Sequence, residues 1–117
     1  MIDSRIIAES IADAADDKKA QRITLIDVKE ISFLADYFVI CSGQTPIQVR
    51  AIADSIEEKV QEQGVDTRRM EGRSEGNWIL MDLGTVIVHV MLEKERDFYS
   101  LERLWGHGNV EEWGIPA

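Results

Sequence analysis

Two short apolar runs on either side of Gly84 constrain this chain more than any other feature. Residues 78–83 and 86–92 are almost wholly apolar and are separated by a Gly-Thr turn. Successive side chains of a strand point to opposite faces, and a glycine between two such runs marks a tight turn, so the stretch reads as a β-hairpin. Ile79, Met81 and Leu83 share one face, and Val86, Val88 and Val90 join them across the turn; that face is core. The other face sets Trp78, Leu80 and Asp82 against Ile87, His89 and Met91. Trp and Met are enriched at the centres of protein interfaces, so this mixed face reads as a protein-binding surface as readily as it reads as ordinary packing under a second layer of helices.

The rest of the chain supplies a sheet and its cover. Ile7, Ile11, Ala14 and Ala15 recur at helical spacing and predict a helix over 3–18. Residues 23–28 and 37–41 read as strands, and residues 30–35 between them as a short ambiguous piece, one helical turn at most. Thr45 followed by Gln48, with Pro46 at the first helical position, fits a capping box. Val49, Ile52, Ala53, Ile56 and Val60 then form one stripe, Asp54, Glu57, Glu58, Gln61 and Glu62 the opposite side, and Gly64 the stop. Residues 65–70 predict a short strand, and 93–105 a last helix with Phe98, Leu101, Leu104 and Trp105 on its apolar side. The expectation is an α/β (α+β) fold: one domain over 1–105, a mixed sheet of about five strands flanked by helices, and an irregular tail over 106–117.

Charge and composition narrow the partners. The chain has 117 residues and a formal net charge of -9. Its Lys and Arg never cluster beyond two, at Lys18–Lys19 and Arg68–Arg69, so no basic face is available to replace counterions on a phosphate backbone. Sequence-specific nucleic-acid binding is not expected, whereas a basic protein surface suits the charge. No apolar run approaches the ~20 residues of a membrane span, and the N-terminal residues lack the basic and apolar regions of a signal peptide, so the expected compartment is the cytoplasm.

Catalytic and metal-binding patterns are weak. Cys41 is alone and lies in an apolar strand, which suits a small core residue better than a nucleophile. His89 has no Ser or Cys nucleophile in a recognisable elbow and no second His nearby. Asp27, Asp36, Glu71 and Asp82 do not stand at the spacing of a ligand motif, so no metal or cofactor is expected. Ser42–Gly43–Gln44–Thr45 precedes a helix but lacks the glycine spacing and Lys of a phosphate loop, and reads as a capping turn. The enzyme alternative is a divergent nucleotidyltransferase or metal-dependent nuclease using Asp27, Asp36 and Asp82.

Three collinear blocks carry a resemblance. Asp36-Tyr37-Phe38-Val39-Ile40-Cys41-Ser42-Gly43 with residues 48–54, then Glu71-Gly72 with residues 76–82 and 88–90, then residues 96–105 are similar to the signatures of the ribosomal silencing factor (Iojap-like) family. The likeness spans roughly residues 4–105 and leaves the tail outside. It implies a mixed sheet related to the nucleotidyltransferase fold, without the Asp-x-Asp pair of those enzymes, since Asp82-Leu83-Gly84 ends with no second Asp. It further implies a translational repressor, not an enzyme, that acts when nutrients are scarce. Such a factor binds the large ribosomal subunit through ribosomal protein L-fourteen, blocks subunit joining and forms homodimers. The expected contact set is Glu71, Trp78, Leu80, Asp82, His89, Met91 and Tyr99, with Trp78 as apolar anchor, Glu71 and Asp82 meeting basic side chains, and Tyr99 supporting the sheet from the last helix.

Overall fold

The computed structural model describes residues 3–99 and 109–113. Along these residues run α1 (Ser4–Asp17), β1 (Gln21–Asp27), β2 (Tyr37–Gly43), α2 (Pro46–Glu62), β3 (Arg69–Glu71), β4 (Trp78–Asp82), β5 (Val86–Leu92), α3 (Glu93–Tyr99) and β6 (Asn109–Glu112). The strands form one mixed sheet in the order β3-β4-β5-β2-β1-β6. Only β2 and β5 pair in parallel; every other pairing is antiparallel. Parallel neighbours need a crossover, and α2 lies in that crossover.

Local signals set the helix ends. Asp3 caps α1 by accepting from the Arg5 N–H at 2.8 Å. The Thr45 side chain caps α2 by accepting from the Gln48 N–H at 3.1 Å, and Gln48 Oε1 accepts from the Gln44 N–H at 2.7 Å. The capping box is therefore displaced by one residue, and it occupies two of the backbone donors that an anion at this turn would need. At the other end the Gly64 N–H reaches the Gln61 carbonyl and the Val65 N–H the Val60 carbonyl. These two bonds are a Schellman motif, and Gly64 at φ +81° supplies the left-handed residue it requires.

The two faces of the sheet are covered unequally. On one face α1 and α2 bury Ile11, Val49, Ile52, Ile56, Val39, Cys41, Ile79, Met81, Val88 and Val90 in a large cluster. All six hairpin residues assigned to core by alternation, Ile79, Met81, Leu83, Val86, Val88 and Val90, lie in it. The second face holds a smaller cluster of Ile26, Val28, Ala35, Phe38, Ile40 and Met91, with Trp78 and Ile87 packed against it. Every residue of β2 is buried, because this central strand has apolar groups on both sides; β4, next to the edge, alternates buried with half-buried.

Three expectations are corrected. The tail is not irregular throughout: Asn109–Glu112 pairs with β1, making six strands where about five were expected. Four residues ending in two glutamates carry too little hydrophobic alternation to read as a strand in isolation; β1 supplies the partner. The strand expected over 65–70 is only β3, three residues ending at Glu71. The helical turn expected over 30–35 lies earlier, as a single turn over 28–32 in which the Ser32 N–H donates to the Val28 carbonyl, and 33–35 are irregular. The last helix is described to Tyr99; Leu101, Leu104 and Trp105 lie outside the described residues, as do 106–108 and 114–117, while of Phe98 and Tyr99 only the backbone is described.

A buried polar contact joins α3 to β1. Arg96 of α3, 2% exposed, reaches the Arg22 carbonyl and donates to Thr24 Oγ1 at 2.9 Å. Arg22 sits at φ +48° in the irregularity between Gln21 and Thr24, where the register of β1 on β2 shifts. The shift frees the carbonyl that the guanidinium takes. No helix among the described residues is long and apolar enough to cross a membrane.

Gly72 connects this framework to the second face. It lies at φ +84°, and a Cβ there would stand 2.0 Å from the Trp78 carbonyl oxygen. Backbone on both sides of the contact leaves no flexible side chain to yield. Gly72→Ala should cost about 1–3 kcal/mol, read as a lower urea midpoint at unchanged slope; an unchanged midpoint would show that the β3–β4 connection can relax.

Candidate protein-binding face

Strand register brings most of the expected contact residues onto the sheet face away from α1 and α2. Glu71 pairs with Leu80, Leu80 with His89, Trp78 with Met91, and Asp82 with Ile87. Directly opposed residues point the same way, so Glu71, Trp78, Leu80, Asp82, Ile87, His89 and Met91 share this side. Glu71 is exposed; Trp78, Leu80, Asp82 and Ile87 are half-buried. They form a band over β3, β4 and β5 that no helix among the described residues covers completely.

Two expected contact residues lie under the surface rather than on it. Met91 is fully buried and His89 only 9% exposed. α3 follows β5 directly and packs over the end of β5 and β2, and Trp78 lies beside both residues. They support the face from beneath. Tyr99 ends α3, but its side chain lies outside the described residues.

Trp78 and His89 act as a pair. The indole Nε1–H donates to His89 Nδ1 at 3.1 Å, with the rings 5.9 Å apart, and Phe38 meets the imidazole edge-on at 5.8 Å. An indole N–H can only donate, so Nδ1 is the unprotonated nitrogen and the neutral ring carries its proton on Nε2. Burial disfavours the imidazolium and lowers the His89 pKa from 6.5 to about 4. At neutral pH the ring is an uncharged acceptor that satisfies the indole and fixes its orientation.

The carboxylates of the enzyme alternative do not converge. Asp27 is paired with Tyr37, on the helix-covered face, and Asp82 with Ile87, on the other, so the sheet stands between them. Asp27 is also engaged by Lys29 at 3.1 Å, and Asp82 Oδ1 accepts from the Gly84 N–H at 2.9 Å. Among the described residues no three His, Cys, Asp or Glu side chains are grouped to hold a metal ion. Cys41 is wholly buried in the large cluster, and burial pushes its thiol up to about 12, which makes it a packing residue.

Comparison with known proteins places this geometry. The family model described as "Ribosomal silencing factor during starvation" matches residues 2–115. The chain belongs to that family. The match extends past Trp105 and takes in β6, which the resemblance of the three blocks left out. Among curated relatives, ribosomal silencing factors of Halalkalibacterium halodurans and Bacillus subtilis are 47% identical over 99 residues (85% of each chain) and 45% identical over 105 residues (90% of this chain, 89% of the relative). The chloroplastic Iojap protein of Zea mays is 31% identical over 106 residues, which is 90% of this chain and 46% of that one. A crystal structure of a Chromobacterium violaceum protein superposes with a TM-score of 0.88 at 34% identity, covering 99% of this chain and 96% of the other. These relatives bear out the family and the mixed-sheet fold expected from the three blocks. The bacterial ones are named for silencing, a regulatory role.

One feature on this side of the sheet escaped the sequence, and one was placed there but not counted as a contact. Strand alternation placed Ile87 on this side, but the expected contact set left it out, and the structure leaves it half-buried like Leu80. Arg96 looks like one charge among many in a polar helix, and nothing in its spacing marks it as buried.

The Trp78–His89 pair carries a pH signature. Between pH 6.5 and about 4 the unfolded chain holds more protons at His89 than the folded chain, so its contribution to stability is full above 6.5 and is lost as pH falls through that window. The slope from this group should approach roughly 1.4 kcal/mol per pH unit. His89→Gln, which keeps an acceptor but cannot titrate, should flatten that part of the curve in urea unfolding measured at several pH values. Equal slopes in both proteins would mean that His89 is protonated in the folded state.

Proposed function

We propose that this family member binds the large ribosomal subunit through ribosomal protein L-fourteen, using the band of Trp78, Leu80 and Ile87 flanked by Asp82 and Glu71. By occupying the surface where the subunits join, it keeps the small subunit away sterically and lowers translation under nutrient limitation, acting in the cytoplasm. The observation that carries this reading is the uncovered band itself: half-buried aromatic and aliphatic side chains on a rigid sheet, with carboxylates at its margin. A partly desolvated Trp with its polar end already satisfied is a strong anchor, because docking removes apolar area without orphaning a donor. The net charge of -9 favours a basic partner. Membership of the family supports the ribosome as the place of action, and a mouse relative, 29% identical over 91 residues, is named for assembly of the mitochondrial large subunit. The homodimer that the resemblance implies belongs to the same proposal, as the state of the protein free of the ribosome.

Sedimentation with isolated subunits tests the reading. The protein should pellet with large subunits and not with small ones; equal recovery with both would indicate nonspecific adhesion. Trp78→Ala should weaken large-subunit binding by about 2 kcal/mol or more, roughly thirtyfold. Trp78 also packs on the smaller cluster, so the melting temperature of the same variant is measured beside the affinity. A large fall in melting temperature with unchanged affinity of the folded fraction would make Trp78 a packing residue and remove it as anchor.

The regulatory role also predicts no nucleotide or metal chemistry. Titration of the folded protein with Mg²⁺ and nucleoside triphosphate should leave its melting temperature unchanged. A saturable rise that disappears in Asp82→Asn would favour the enzyme alternative.

A further inference from the structure

Large apolar side chains stand in solvent as a group between β1 and β2. Phe33 is 109% exposed, Leu34 81% and Ile31 43%, whereas Ile6, Ile47 and Val110 are exposed at separate places. Single exposed hydrophobics are ordinary; three within four residues are not.

The segment that carries them is tied down. The Ile31 and Ser32 N–H groups donate to the Val28 carbonyl at 3.0 and 2.8 Å, and the Leu34 N–H donates to Ser32 Oγ at 3.1 Å. The Val28 N–H donates to the Asp36 carbonyl at 2.9 Å, and the Asp36 N–H to the Thr85 carbonyl at 2.7 Å. Its inner residues, Val28 and Ala35, are buried in the same small cluster as Phe38 and Ile40, against which Ile87 and Trp78 pack. Phe33 and Leu34 are thus held outward at the margin of the candidate face. A fixed segment that points an aromatic ring into water forgoes burial that a looser one would recover by turning it inward, and it presents the ring already ordered for a partner.

We infer that Phe33 and Leu34 form a second anchor for the basic large-subunit protein that takes Trp78, entering an apolar recess rimmed by Lys or Arg. The inference rests on the large-subunit reading above. Charge selects this occupant. Lys29 is engaged by Asp27, whereas Glu30 and Asp36, on either side of the apolar group, have no ion-pair partner among the described residues. Asp82 lies on the neighbouring strand beside Ile87, the residue that Phe38 also pairs with. A second copy of this chain would bring the same uncompensated carboxylates toward the patch, whereas a basic rim neutralises them.

The test compares full-length wild type, Trp78→Ala and the double variant Phe33→Ser/Leu34→Ser in sedimentation with isolated large subunits over a range of concentrations. Because both side chains are exposed, the double variant should keep the wild-type melting temperature, while its affinity falls about tenfold or more. Wild-type affinity should also fall as salt is raised. If wild type does not bind large subunits, the functional reading fails and this inference fails with it. If wild type binds, Trp78→Ala weakens it and the double variant binds like wild type, the second anchor alone is overturned. If the double variant keeps its affinity but lowers the mass of the free protein from dimer to monomer, the patch belongs to a second copy and the inference is likewise overturned.

Discussion

Burial of one sheet face against the packed pair α1 and α2 is the interaction from which the other features follow. It puts Val39, Cys41, Val88, Val90, Ile79 and Met81 beneath Ile11, Val49, Ile52 and Ile56. Each large aliphatic group so buried contributes about 1.5–3 kcal/mol relative to exposure. Exposed ion pairs such as Arg73–Asp54 are screened by solvent and add little beside that. Apolar burial on the helix-covered side therefore decides the fold, and the charged surface follows it. Once those helices lie on one side, the crossover joining the parallel pair β2 and β5 is used up, and among the described residues α3 is the helix left for the other side.

The second face meets its needs differently. Its cluster is small, and the helix that reaches it, α3, has the polar sequence Glu-Lys-Glu-Arg-Asp before its aromatic end. Arg96 joins α3 to β1 and is acceptable inside because the irregularity in β1 turns a carbonyl toward it and Thr24 adds a hydroxyl. The Trp78–His89 pair follows the same logic. Burying the imidazole disfavours its charged form, the neutral form offers a lone pair, and the indole N–H takes it. Polar groups on this side are satisfied internally, which leaves its uncovered area apolar in the middle and acidic at the edge.

That arrangement suits binding more than chemistry. The groups that could do acid–base work are separated by the sheet, as Asp27 and Asp82 are, or shielded by burial, as His89 and Cys41 are. The groups left facing outward, Leu80, Ile87 and the segment bearing Phe33 and Leu34, offer area and order rather than reactivity. Ordered apolar area with little side-chain entropy left to lose is what a rigid docking surface requires.

The sequence by itself determined the elements whose signals are local. The hairpin and its core face followed from period-two alternation, α2 from its cap, proline, stripe and terminal glycine, and family membership from three collinear blocks. It also placed Trp78, Leu80 and Asp82 on a common side, since alternation within one strand requires no knowledge of the rest. Only the tertiary structure decided which of those residues meet solvent. Alternation assigns a side but not a cover, so Met91 and Leu80 look alike in sequence, yet the first is buried in the small cluster beside Trp78 and the second is half-open. The same holds for β6, whose four residues become a strand only because β1 has a free edge, and for Arg96, whose burial depends on a carbonyl turned toward it 74 residues earlier in the chain. Residues 30–35 were ambiguous in sequence, and only the structure shows that Phe33 and Leu34 stand in solvent, α1 and α2 lying over the other face.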